Sequence, residues 1–453
     1  MLKSAALMQN TIAGLIVSFV ALSLGASLGI LSGRGAFAGM LSAGVIALIT
    51  SLCGGTRVQC SGPTAPMSAL SAVTIAFAFG ALADEAPGFS PEHFINIVFI
   101  LTGVLLLVMA LLRLGKHIQL VPNVVISGFM NGIALLIWVD QLKKLIGFGG
   151  KTPFAGGVAA NLLVAVMTLA LIFSLPQLLK RRLPKIAHFL PSTLLTIILV
   201  TLLVHLLGLN VEFVSLATQI HSLADFSAFL STQLPSDWSL KVLGIALPFA
   251  LQLAILCYLD TLLTSLVVDK MVREKTRQNK ELMAQGLANA GAGLLGGIPG
   301  AQATIRSVLI IKEGATSRLA GILVGVFVLL EMMLFQDLIN LIPQAVFSGI
   351  LLKVGYDVFD WLPLRLYVKE WYRERSAMLH RIFSRHDDEP IFVTHLEMLM
   401  IAGTALVTIL YDLNTAVIAF TLLFYLANKI FSKTHPMRDL KPAVETSGMR
   451  MED

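Results

Sequence analysis

The chain has 453 residues, of which 56% are hydrophobic and only 13% charged, with a net charge of +6 and a mean hydropathy of +0.82. A soluble domain carries about 25% charged residues, so this composition excludes a soluble globular protein and indicates an all-α polytopic membrane protein. The basic excess lies in short loops between apolar segments, where it sets membrane orientation, so nucleic acid is not an expected partner.

The first apolar segment, 12–31, is long enough to span a bilayer and lacks an A-x-A cleavage site. It is read as the first helix and not as a signal peptide. Further apolar segments lie at 36–53, 63–82, 93–113, 120–147, 157–178, 187–208, 241–268, 281–297, 301–312, 316–335, 338–358, 393–411 and 413–432, about fourteen in all. Cys53, Cys60 and Cys257 fall in or beside these segments and read as small packing residues, without a disulfide framework.

Loop charge separates two sides. Arg113 with Lys116, Lys180 to Lys185, the five basic residues between Lys270 and Lys280, and the basic stretch from Val368 to Arg385 lie on one side. The loop from Asp84 to His93 carries Asp84, Glu85 and Glu92 and no Lys or Arg. The positive-inside rule places the basic loops and both termini in the cytoplasm, and the protein is expected to be an integral multi-pass plasma (inner) membrane protein. Residues 1–436 are expected to form one transmembrane domain. Residues 437–453 are expected to be a short cytoplasmic tail with no further domain.

Two halves repeat a pattern. Pro122 to Gly128 and Pro343 to Gly349 both read P-x-x-V-x-S-G, and Gly-Gly pairs at 54–55 and 296–297 precede two segments interrupted by Gly and Pro. The first repeat covers about 10–208 and the second about 240–432. Seven spans is an odd number, so the second repeat must be inverted. Backbone groups freed by Gly and Pro at bilayer depth are tolerated only when buried in protein or lining a wet cavity. The expectation is two half-helices meeting at mid-membrane, their uncapped N–H groups favouring an anion. Thr64, Ala65 and Ser68 begin one; Gln302, Ala303 and Thr304 begin the other. The competing reading is that these Gly and Pro residues only permit close helix packing.

Asp260, in the first span of the second half, is a carboxylate at membrane depth and by default a functional candidate. Thr264 lies four residues on, on the same helical face. Carboxylate, hydroxyl and free carbonyls together make an oxygen cage for a hard cation; a structural hydrogen bond to a neighbouring helix is the alternative. Arg306 either attracts the anion or snorkels to the cytoplasmic face. Asp140, Gln141, Asp337, Asp357 and Asp412 read as groups near span ends, and Glu331 as a group within a span without an assigned role. No metal-ligand spacing of His, no Walker A motif and no G-x-S-x-G occur, so the chain is read as neither an ATP-driven pump nor an enzyme, with no covalent cofactor.

At these residues the sequence resembles the SulP (sulfate permease) family of anion transporters. The resemblance rests on Gly54-Gly-Thr-Arg…Ser61-Gly-Pro-Thr-Ala-Pro-Met67, on Val125-Ile-Ser-Gly-Phe-Met-Asn-Gly132, on Glu281-Leu-Met-Ala-Gln285-Gly-Leu-Ala-Asn289, and on Gly296-Gly-Ile-Pro-Gly-Ala301. It implies a seven-plus-seven inverted repeat, a core domain (spans 1–4 and 8–11) moving against a gate domain (spans 5–7 and 12–14), and a homodimer. The run Asp260-Thr-Leu-Leu-Thr264 is similar to the sodium–bicarbonate symporters of the family, where the sulfate and dicarboxylate branches tend to carry Glu at the Asp260 position. The resemblance makes Asp260, Thr264, Gln302, Ala303 and Thr304 the sodium site. It makes Thr64 and the Ala303 backbone anion contacts; Ala65 and Ser68, at the start of the half-helix, and Arg306 are substrate-binding candidates from the reading of the residues above. Gln302 stands where the family has a small Gly, so its side chain is expected to intrude on the cavity. The STAS domain usual after the last span is not expected in this chain. The expected function is sodium-coupled uptake of a small inorganic anion, bicarbonate first, by alternating access. A proton-coupled sulfate or dicarboxylate carrier and an uncoupled anion channel are the alternatives.

Overall fold

The computed structural model describes residues 2–116, 121–148, 153–182, 192–214, 223–235, 238–373, 393–411 and 413–430. Each expected apolar segment contains a helix. In chain order these are α1 (Leu2–Ser32), α2 (Ala36–Cys53), α3 (Ala65–Phe79), α4 (Pro91–Leu111), α5 (Asn123–Ile146), α6 (Val158–Arg182), α7 (Ser192–Leu207), α8 (Leu240–Val272), α9 (Gln278–Leu294), α10 (Thr304–Lys312), α11 (Arg318–Leu334), α12 (Gln344–Val358), α13 (His395–Leu410) and α14 (Leu413–Ile430). Among the described residues, six of them, α1, α2, α4, α5, α6 and α8, are long and apolar enough to cross a bilayer by themselves. Lys185, Asp412, residues 374–385 of the basic stretch and the expected tail at 437–453 lie outside the described residues.

Local sequence sets the helix ends. Ser90 caps α4 and Ser239 caps α8, each accepting a backbone N–H from three residues on. Thr394 and Glu397 form a reciprocal capping box at the start of α13. The repeated P-x-x-V-x-S-G motif opens equivalent helices: Pro122 precedes α5, and Pro343 precedes α12.

The chain divides into two compact units, Met1–Ile118 with Gln141–Lys353, and Gln119–Asp140 with Val354–Asp453. The first takes in α6 and α7, which the expected division assigns to the gate. In that unit α7 packs against α1, and the α6–α7 segment is also tied to the start of α12, itself a gate span in the expected division. Gly156 pairs with Val211, Phe213 pairs with Pro343, and Gln344 donates to Glu212 at 2.8 Å. These contacts fasten the α6–α7 segment to the start of α12.

Within the first unit, α2 packs between α1 and α11, and α9 lies along α4. Small residues permit this approach: a Cβ on Gly39 of α2 would stand 2.0 Å from the Gly25 carbonyl of α1. In lipid, where no hydrophobic drive separates helix from solvent, such close packing and interhelical hydrogen bonds hold helices together. Glu331, unassigned from sequence, is one such contact: Ser18 on α1 donates to its Oε1 at 2.6 Å.

The smaller unit is built on α13 and α14 with the first part of α5. Asp360 N donates to Asn131 Oδ1 at 2.7 Å, and Trp138 stacks on Phe359 at 5.8 Å between ring centroids. These contacts fix the turn after α12 against α5.

Candidate functional site

The two interrupted segments meet. Ser61–Gly62 (β1) and Ala301–Gln302 (β2) form an antiparallel ladder pairing Ser61 with Gln302 and Gly62 with Ala301. Each strand leads into a half-helix: β1 through Pro63 and Thr64 into α3, β2 through Ala303 into α10. The ladder satisfies backbone groups that neither broken helix can pair internally, as membrane depth requires. The junction is tight, since a Cβ on Gly300 would lie 2.2 Å from the Gly62 carbonyl oxygen.

The N-caps of both half-helices, Thr64 and Ala303, leave the first turns without a side-chain cap. The first intrahelical bonds are Ser68 N to Thr64 O and Ser307 N to Ala303 O. The N–H groups ahead of them, at Ala65 and Met67 and at Thr304, Ile305 and Arg306, face outward from the helix ends, and the aligned peptide dipoles add positive potential there. Pro66, at the second position of α3, has no N–H to lose and presets the helical φ.

Asp260 joins this junction from α8. Thr64 Oγ1 donates to Asp260 Oδ2 at 2.7 Å. One turn on, the Thr264 and Thr304 hydroxyls are hydrogen-bonded at 2.6 Å. Between them Thr261 accepts the backbone N–H of Gln302 at 3.3 Å. One face of α8 thus touches the tip of each half-helix. Asp260 and Thr304 are partly exposed, while Thr64, Thr264, Ala303 and Ser68 are buried. The Asp260 carboxylate with the Thr264 and Thr304 hydroxyls is a set of hard oxygen donors that fits a small monovalent or divalent cation and not a soft metal.

Arg306 does not snorkel. It is 1% exposed, its Nη2 donates to the Pro63 carbonyl at 2.7 Å, its Nη1 has no partner among the described residues, and it interacts electrostatically with Asp260. A guanidinium with an unspent donor is costly to bury unless something negative completes it. Asp260 therefore has both a hydroxyl partner and a buried cation in its surroundings. Gln302 is also enclosed, at 0% exposure, and neither carboxamide atom has a partner. Its register opposite Ser61 puts its side chain on the Ser61 face of the ladder. Its contact with α8 is made by its backbone.

Three residues that sequence quoted without a role hold the junction from behind. Glu281, Gln285 and Asn289 occupy i, i+4 and i+8 of α9, one helical face, and each is 0% exposed. Glu281 accepts from Gly55 N at 2.8 Å, Thr56 N at 2.9 Å and Gln59 Nε2 at 2.9 Å. Gln285 Nε2 donates to Ser61 Oγ at 2.8 Å. Asn289 pairs with both backbone groups of Gly300, accepting from its N at 2.8 Å and donating to its O at 3.1 Å. The signal was legible as three polar residues at helical spacing in an apolar helix; what they hold was not. Arg318 adds a cap from α11, donating to the last carbonyls of α2 at Ser51 and Gly54.

Two broken helices joined by a short ladder, with a carboxylate, two hydroxyls and a buried arginine at the junction, define a polytopic membrane fold of the discontinuous-helix carrier type. Residues 7–369 match the sulfate permease family, and the chain belongs to that family. It is 32% identical over 365 residues to the bicarbonate transporter BicA of Picosynechococcus, which covers 77% of this chain and 61% of that protein. It is 28% identical over 356 residues to the putative sulfate transporter YvdB of Bacillus subtilis, over 78% of this chain and 64% of that protein. The chain thus spans about 60% of the length of these curated relatives. The transmembrane domain of a cyanobacterial BicA superposes with a TM-score of 0.73 at 28% identity, over 91% of this chain and 97% of that domain.

Proposed function

We propose that the protein is a secondary active transporter that takes up a small inorganic anion, bicarbonate by this reading, coupled to sodium. The observation that carries the reading is the Thr64–Asp260 hydrogen bond. It puts the cation-binding carboxylate in direct contact with the N-terminus of an anion-binding half-helix. Sodium sits among Asp260, Thr264, Thr304 and the backbone at Gln302 and Ala303. The anion sits against the half-helix ends at Thr64, Ala65, Ser68 and Ala303, drawn by the free Nη1 of Arg306. An ionised Asp260 repels an incoming anion, and a bound cation removes that penalty. Each ligand therefore raises the other's affinity by the same factor. Similarity to proteins named as bicarbonate transporters supports the choice of anion. The protein works by alternating access as a homodimer in the plasma membrane with both termini cytoplasmic.

The test is uptake of labelled bicarbonate into proteoliposomes with and without a sodium gradient at fixed pH. Sodium-dependent accumulation supports the reading, and uptake indifferent to sodium rejects the coupling. A second reading has one observation in its favour: Arg306 is buried at the same junction as Asp260, donating to the Pro63 carbonyl at 2.7 Å. A built-in cation lessens the need for a mobile one. Under that reading the carrier takes sulfate or a dicarboxylate with a proton, or conducts anions without coupling. Uptake that follows a pH gradient in sodium-free medium would select the first of these, and current at rates beyond carrier turnover the second.

A further inference from the structure

We propose that Gln285 and Asn289 of α9 are positioning residues for the anion site: they lock the two half-helix tips into one rigid body and thereby set substrate affinity without touching substrate. The inference rests on the transport reading above. Both residues reach the junction from α9, and Asn289 Nδ2 also lies 3.7 Å from Cys257 Sγ on α8. Gln285 grips the first break through Ser61, and Asn289 grips the second through both backbone groups of Gly300. The two grips are linked within α9, because Asn289 Nδ2 also donates to the Gln285 carbonyl at 2.8 Å.

The network closes on itself. Ser61 Oγ donates to Gln59 Oε1 at 2.9 Å, and Gln59 and Gln285 both donate to Glu281 Oε1, at 2.9 and 3.2 Å. Glu281 is buried without a cationic partner among the described residues, and its charge is met by backbone and amide N–H groups alone. Losing one member of such a network leaves other buried polar groups short of a partner. The ladder between β1 and β2 has only four residues. By itself that pairing is too short to keep the helix ends in register, so the α9 amides supply what it lacks. Cys257 on α8 adds a weaker contact to the Gly300 carbonyl at 3.2 Å.

The functional consequence follows from geometry. The anion is held by N–H groups from two separate helix ends, so its affinity depends on the distance between them. Hydrogen bonds to the anion weaken steeply once distance or angle departs from the optimum, so a slip of one tip lowers affinity.

The experiment compares Gln285→Leu, Asn289→Leu and their double variant with Leu282→Ala, using reconstituted full-length protein. Leu282 is buried on the same helix and makes none of these hydrogen bonds, so Leu282→Ala reports general loss of stability. Thermal stability in detergent and the KM and Vmax of bicarbonate uptake are read for each. The expected result is a KM raised by roughly tenfold in Gln285→Leu and in Asn289→Leu, with Leu282→Ala losing stability at unchanged KM. The double variant should be little worse than the worse single one, because both amides serve one clamp. Should Asn289→Leu fail to reach the membrane, Asn289→Ser, which keeps a hydroxyl beside Gly300, takes its place with a smaller rise. KM values that track stability in the same way as Leu282→Ala overturn the positioning role and leave the transport reading intact. A wild type without anion uptake overturns both.

Discussion

Asp260 has one oxygen committed to Thr64 and a buried arginine close by. A carboxylate at this depth is retained only if its charge is used. Asp260→Asn keeps the shape and the hydrogen-bonding reach but not the charge; it should abolish sodium stimulation of uptake while leaving protein level and melting temperature near wild type. Sodium-driven uptake in that variant would reject the role. Arg306→Gln removes the charge opposite Asp260 and the spare Nη1 donor. Its effect should fall on anion KM, with a rise of about tenfold, since a hydrogen bond to a charged group is worth about 1.5–3 kcal/mol. Competition by unlabelled bicarbonate measures it. Thr64→Val removes the hydroxyl that ties the first tip to Asp260, and sodium and anion affinities should weaken together if that bond joins the two proposed sites.

At the scale of elements, the half-helices depend on what stops them from being whole. Gly54, Gly55, Gly62 and Pro63 interrupt the first, and Gly296, Gly297, Pro299 and Gly300 the second. Gly300→Ala should be damaging although it adds one methyl group, because its Cβ would lie 2.2 Å from the Gly62 carbonyl and drive β1 and β2 apart. Glu281→Ala leaves the N–H groups of Gly55 and Thr56 and the Gln59 amide buried without an acceptor. Each buried donor left unsatisfied costs about 1–3 kcal/mol, so this variant should show strongly reduced thermal stability in detergent. A melting temperature close to wild type would contradict the anchoring role given to the carboxylate.

At the scale of the whole molecule, orientation rests on loop charge and is open to direct test. With Cys53 replaced by Ser, and Cys60 and Cys257 buried, an added cysteine reports the side it faces. Gly88→Cys, in the acidic loop before α4, should react with an impermeant maleimide on intact cells. Glu274→Cys, in the basic loop between α8 and α9, should react only after permeabilisation. The reverse pattern would invert the assigned topology, and with it the direction in which a sodium gradient drives uptake.

Much of this protein was legible as a string of residues. The apolar segments, the two Gly- and Pro-rich breaks and the carboxylate at 260 are local features. Lipid makes them readable, because it penalises every unpaired backbone group and every stray charge within a single span. The one-turn spacing of Asp260 and Thr264 needed only helical periodicity. What required the folded chain is everything that joins distant positions. Thr64 meets Asp260 across 196 residues, Arg306 turns inward to Pro63 and does not snorkel, and α9 uses one polar face to hold both breaks. A hydrogen bond between two breaks leaves no mark on the periodicity of either, and burial of an arginine depends on neighbours supplied by other helices. Sequence determined where the helices stop, and tertiary packing decided which ends face one another and which charges they share.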